Sequence, residues 1–113
     1  MEKLVRYREI IRTVLEPLAV RKYSGRAVTN EAVYNEKNDR YLVMSIGWEG
    51  RTRRIHGCLA QLDIIDGKIW IQRDGTEDGI AYDLEELGVP KSDIALAFHT
   101  EETRPHTGYA VGF

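Results

Sequence analysis

Apolar residues recur along the N-terminal segment at helical spacing. Leu4, Tyr7, Ile11, Val14 and Leu18 form one stripe, widened by Ile10 and Leu15. Glu2, Arg6, Glu9, Arg12 and Glu16 cover the other side, with Glu2 and Arg6 in the order that favours a helical ion pair. The pattern predicts a helix over residues 2–22. Pro17 lacks the N–H that would bond the Thr13 carbonyl, so it kinks the helix or ends its regular part. After Ser24-Gly25 the period becomes that of strands. Residues 27–35 alternate weakly around Val28, Val33 and Tyr34, and Glu36 to Asp39 read as a turn. Residues 40–48 form a strong strand with Leu42, Met44, Ile46 and Trp48 on one side. Glu49-Gly50 ends it, and Arg54 to Ile65 form the next.

Asp66-Gly67 stands between two apolar runs, and both residues tolerate the positive φ of a type I′ turn. A two-residue loop fixes the register. Ile65 faces Lys68, Ile64 faces Ile69, Asp63 faces Trp70, Leu62 faces Ile71 and Gln61 faces Gln72. One face of the hairpin, with Leu62, Ile64, Ile69 and Ile71, is core. The other carries Gln61, Asp63, Trp70 and Gln72. Residues 75–87 read as a second helix, with Asp74 as N-cap, Glu77 completing a capping box, and Ile80, Leu84 and Leu87 as its buried stripe. Gly88 suits the left-handed C′ position, Val89 the apolar position after it, and Pro90 blocks continuation. Ile94, Leu96 and Phe98 make a short strand, residues 99–107 a polar loop, and Tyr109, Val111 and Phe113 a tail at strand spacing. Consecutive strands joined by short turns imply an antiparallel meander with two helices packed on it, an α+β fold. No repeat or linker divides residues 1–113, so one domain is expected.

Composition narrows the function classes. Apolar residues make up 42% and charged residues 30% of the 113, which supports a packed core and excludes disorder. The single cysteine, Cys58, cannot form an internal disulfide, which suits a reducing compartment. Charges interrupt Met1 to Arg6, so no signal peptide is expected, and no apolar run is long enough for a membrane helix. A cytoplasmic protein is the expectation. The net charge of −2 conceals an asymmetry: residues 1–60 hold 12 Lys/Arg against 7 Asp/Glu, residues 61–113 hold 4 against 11. Strong nonspecific DNA binding needs a dominant basic field, and this chain lacks one.

Several constellations invite chemistry. His56, Cys58, His99 and His106 are metal-ligating types, but no Cys-x-x-Cys or His-Glu-x-x-His spacing joins them. Asp66-Gly67-Lys68 has the look of half a nuclease motif, yet its residues are already explained by the turn. Ser24, Ser45 and Ser92 lack a nucleophile-elbow frame, and Cys58 lies in an apolar strand where a thiol stays inert. Arg51, Arg53 and Arg54 beside Trp48 offer a secondary route to nucleic acid. A Trp among polar neighbours is an interface composition, so Gln61, Asp63, Trp70 and Gln72 are the expected contact face of a dimer. No cofactor is expected. The enzymatic alternative is a small metal-dependent or nucleic-acid-processing enzyme using His56, Asp63, Asp74, Glu77 and His99.

The run from Gly57-Cys58-Leu59 through Leu62-Asp63-Ile64 and Asp66-Gly67-Lys68-Ile69-Trp70-Ile71-Gln72 to Asp74-Gly75-Thr76-Glu77 resembles the XisI family. The likeness continues through Gly79-Ile80-Ala81, Leu87-Gly88-Val89-Pro90-Lys91, Asp93-Ile94 and Leu96-Ala97-Phe98-His99 to Thr107-Gly108-Tyr109-Ala110-Val111. The resemblance implies a controlling factor for programmed excision of a DNA element, such as the fdxN element, by site-specific recombination during heterocyst differentiation in cyanobacteria. It implies a companion, an XisH-like protein, and brings no catalytic residue. A regulatory protein of this kind needs a partner surface. Asp78, Asp83, Glu85 and Glu86 are expected to present it, since Ile80, Leu84 and Leu87 turn the helix's other face to the core.

Overall fold

The computed structural model describes residues 2–23, 25 and 27–112. Ser24 and Phe113, on which the sequence places the first break and the end of the tail, lie outside the described residues. Helix α1 spans Glu2–Ala19, followed by strands β1 (Ala27–Asn35), β2 (Arg40–Glu49), β3 (Arg53–Ile65) and β4 (Lys68–Asp74). Helix α2 (Ile80–Glu86) and strand β5 (Ile94–Leu96) complete the order, with single 3-10 turns at Lys91–Asp93 and Arg104–His106. The strands form one sheet in the order β1-β2-β3-β4-β5. The first four pair antiparallel, as the meander requires, while β5 runs parallel to β4. Parallel neighbours need a crossover connection, and α2 supplies it.

Both helices lie on one face. From α1, Tyr7, Ile10, Ile11, Val14, Leu15 and Leu18 are buried, and they meet Tyr41, Val43, Ala60, Leu62, Ile64, Ile69, Ile71, Ile94 and Leu96 of the sheet. The helix stops at Ala19 rather than at residue 22. The Leu18 carbonyl is taken by the Asn30 amide at 2.8 Å and by the Arg21 N–H at 3.4 Å, which turns the chain away. In β2 the core is filled by Tyr41 and Val43. The longer apolar row, Leu42, Met44, Ile46 and Trp48, lies on the far face, with Trp48 45% exposed. That face carries neither α1 nor α2.

The Asp66-Gly67 turn has the expected form, with φ of 50° and 75°. The register it sets holds from Ile65↔Lys68 to Leu62↔Ile71, and then a bulge makes Gln61 face Arg73 instead of Gln72. An extra residue in one strand shifts every pair beyond it. A second bulge lies between Val43 and Met44, whose partners are Ala60 and Cys58, leaving Leu59 as the extra residue.

Helix α2 begins at Ile80, five residues later than the sequence pattern suggests. Gly79 sits at φ 86°, a left-handed conformation that a helix cannot continue. Asp74 still caps the helix, but across a loop. Its Oδ1 accepts the Thr76 N–H at 2.9 Å and the Thr76 hydroxyl at 2.5 Å, and its Oδ2 accepts the Ile80 N–H at 2.8 Å. Glu77 is exposed and completes no capping box. The C-terminal end follows the expected pattern: Val89 N–H bonds Leu84 O and Gly88 N–H bonds Glu85 O, both at 3.0 Å, with Gly88 at φ 96°. Leu87 is 43% exposed, and Val89 takes the core position expected of it. The tail makes a single bridge, Ala110 to Ala95, in place of a strand.

Candidate functional site

The far face of the hairpin assembles the first group of residues singled out by the sequence. Trp70 is only 6% exposed, because Ala95 of β5 and Ala110 of the C-terminal segment pack on it, flanked by Ile65 and Ala97. The Arg104 guanidinium lies 5.4 Å from its ring and donates to the His99 carbonyl at 3.1 Å, which pins the loop 99–107 over the indole. The expectation that a second copy covers Trp70 is therefore corrected, since the chain's own C-terminal segment covers it. Asp63 is 1% exposed. Arg40 donates to its Oδ2 at 2.7 Å and Gln61 to its Oδ1 at 3.1 Å, so the buried carboxylate is satisfied within the sheet. Arg40, which faces Asp63 across β2 and β3, carries no sequence signal beyond its register. Gln72 is the residue set aside by the bulge.

The acidic segment assembles a second group. Asp78, Asp83 and Glu86 are exposed around Tyr82, itself 67% exposed, and Leu87. Glu85 departs from the group. It accepts the Tyr109 hydroxyl at 2.7 Å and lies 3.9 Å from Lys91 Nζ, so it belongs to the packing between α2 and the tail. Among the described residues no ion pair neutralises Asp78, Asp83 or Glu86. Partial burial, together with Glu86, Asp78 and Asp74, pushes the Asp83 carboxyl above the usual aspartate range. Arg21 borders this surface from the end of α1, across the groove that it, Leu87 and Glu86 share.

The metal-ligating residue types do not converge. His56 and Cys58 lie two apart on the far face of β3, while His99 and His106 bracket the loop beside β5. Among the described residues no three His, Cys, Asp or Glu are grouped as a metal centre. Cys58 donates to the Ala60 carbonyl at 3.3 Å, and burial raises its thiol pKa, which disfavours the thiolate. Asp66 and Lys68 serve the turn. Asp74 is used by its cap, and Glu77 stands alone beyond it. Arg54 stacks 5.2 Å from the Trp48 ring and donates to the Gly47 carbonyl, and Arg53 donates to Glu49 Oε1 at 3.5 Å, beside the exposed Arg51 of the β2–β3 turn.

A mixed five-stranded sheet with both helices on one face defines a small α+β protein. The chain belongs to the XisI family: the family model described as XisI protein matches residues 1–111. Two crystal structures from Anabaena variabilis ATCC 29413 share the fold. An XisI-like protein is 34% identical with a TM-score of 0.88, covering 96% of this chain and 99% of its own. The fdxN element excision controlling factor XisI is 31% identical with a TM-score of 0.82, covering 97% and 99%. A comparison with curated proteins finds no match. No helix among the described residues is long and apolar enough to cross a membrane.

Proposed function

We propose that this chain is a non-enzymatic controlling factor for excision of a DNA element, acting by binding another protein, an XisH-like partner. The observation that carries the reading is the surface of α2. Asp78, Asp83 and Glu86 lie together around the exposed Tyr82 and Leu87 without an ion-pair partner among the described residues. Mutual repulsion among these acids is relieved when a basic surface approaches, and the Tyr and Leu supply apolar contact at its centre. The whole-chain likeness to a structure described as an excision controlling factor supports the biological setting. Charge of this kind mainly raises the association rate and weakens with salt.

The test is Asp83→Lys combined with Glu86→Lys, measured against the XisH-like protein of the same genome at low salt. Glu85 is left intact because it holds Tyr109. Affinity should fall at least tenfold with the far-UV spectrum unchanged. An unchanged affinity in a folded variant would rule this surface out.

A further inference from the structure

The sheet has a second opening, which shares Asp78 with the acidic surface but none of its other residues. Strand β4 pairs with β3 only from Ala60 to Ile65, so Arg53 to Cys58 of β3 have no strand on that side among the described residues. This edge is about 20 Å long. Arg54, His56 and Cys58 lie on the face of Trp48, Ile46 and Met44, while Ile55 and Gly57 lie on the face of Gly47 and Ser45. On the latter side a cleft of about 450 Å³ runs from Arg21 and Tyr23 past Val28, Ile55 and Leu59 to Glu77 and Asp78. A long free edge is a template for another strand.

The charges along this edge are polar in sense. Arg51 and Arg53 stand at one end, Arg53 sharing its charge with the neighbouring Glu49 at 3.5 Å. At the other the chain leaves β4 beside Leu59, where the Gly75 N–H bonds the Leu59 carbonyl at 2.8 Å, and then carries the exposed Glu77 and Asp78. An antiparallel copy of the same edge reverses this order, so its arginines meet these acids, and the match repeats on the other side of the two-fold axis. A pairing centred on His56 sets Ile55 opposite the second copy's Gly57, where no atom lies within 4 Å of the position a Cβ would take. It also sets Arg53 opposite the second copy's Leu59, next to the acidic loop.

We infer that the β3 edge Arg53–Cys58 is a dimer interface, at which two copies of this chain join antiparallel into one continuous sheet, with Arg51 and Arg53 of each against Glu77 and Asp78 of the other. Basic residues on a free edge ordinarily discourage pairing. Here the acids that neutralise them are placed at the opposite end, which permits the antiparallel self-match and penalises other registers.

The full chain is studied by sedimentation over a concentration series at low salt. The wild type should be dimeric at micromolar concentration. Arg51→Glu with Arg53→Glu, and separately Glu77→Lys with Asp78→Lys, should each raise the dissociation constant at least tenfold. Mixing the two variants should restore the dimer, because every contact then joins opposite charges. His56→Cys in a Cys58→Ser background should give a disulfide-linked dimer under mild oxidation. A wild type monomeric at high concentration overturns the interface. So does a dimer that neither charge variant weakens, or weakened variants that mixing does not rescue. Absence of the crosslink overturns the register centred on His56.

Discussion

Tyr7 shows how one side chain ties several segments together. It is 1% exposed in the α1 stripe, yet its hydroxyl donates to Asp93 Oδ2 at 2.5 Å, and Lys3 Nζ lies 3.0 Å from the same oxygen. Burial and then Asp93 push the Tyr7 phenol up to about 12. Tyr109, half-buried and bonded to Glu85, is likewise raised to about 12. A phenol with a raised folded pKa contributes stability that is complete below its unfolded value of 10.0 and is lost as pH climbs towards the folded one. Asp93 has the opposite sense. Burial alone would raise its carboxyl, but the hydrogen bonds from Tyr7 and Lys3 prevail and hold it below 3.8. Its contribution is present above that value and fades in stronger acid. Denaturant midpoints should therefore fall between pH 10 and about 12, and Tyr7→Phe should flatten part of that slope, with Tyr109 supplying a comparable share. An equal slope in the variant would show that other groups set it. The stripe containing Tyr7 is legible from spacing alone, whereas its partner Asp93, 86 residues away, is not, because the 3-10 turn that presents it has no periodic signature.

Helix α2 has only seven residues, too short to be stable alone, so its ends decide its existence. At the C-terminal end the sequence is fully readable. A left-handed Gly88 followed by an apolar Val89 and a proline is chemistry that only a helix stop requires. The N-terminal end is not readable in the same way. Asp74 and Glu77 fit a capping box by spacing, but Gly75 and Gly79 permit a loop, and the loop wins. Gly75 has a further reason: a Cβ there would lie 2.7 Å from the Leu59 carbonyl, so the strand exit and the helix start pass too close for any side chain. Asp74→Ala removes three accepted hydrogen bonds and should cost about 1–2 kcal/mol. Amide exchange at Ile80 should accelerate more than at core amides of β3. Equal acceleration at both would show a global effect in place of a loosened cap. The bulges in β3 and β4 were equally hidden, since an extra residue in a strand leaves no mark in composition.

At the scale of the molecule, the meander and the helix-bearing face follow from alternation, turn chemistry and apolar spacing. The parallel β5 and the cover over Trp70 do not. Small residues do that work: Ala95, Ala97 and Ala110 surround the indole, and a Cβ on Gly112 would lie 3.1 Å from it. Small size marks fit around a large ring, not hydrophobic drive, so a search for apolar stripes passes over it. The composition around Trp70 suggests an interface, and there is one, but it lies within the chain. Truncation after Thr107 in a Trp48→Phe background isolates this contact. The Trp70 emission should shift to the red, and the midpoint should fall by an amount matching about 2–3 kcal/mol for an uncovered aromatic. An unshifted spectrum would mean that loop 99–107 shields the ring by itself.

The closure of Trp70 by residues near Ala110 also bears on how the chain matures during translation. Protein synthesis runs from the N-terminus, and the four antiparallel strands are all present once Asp74 has emerged. Their pairings are local, and local contacts form early. The parallel strand and the alanine that bridges to it lie 20 to 36 residues further on, so the growing chain carries a finished meander whose β4 edge and indole are still open. The variant truncated after Thr107 keeps β5 and so stands in for the last stage of that growth, when only the bridge from Ala110 is missing, and the amount of chaperone it recruits would measure how exposed the indole is at that stage.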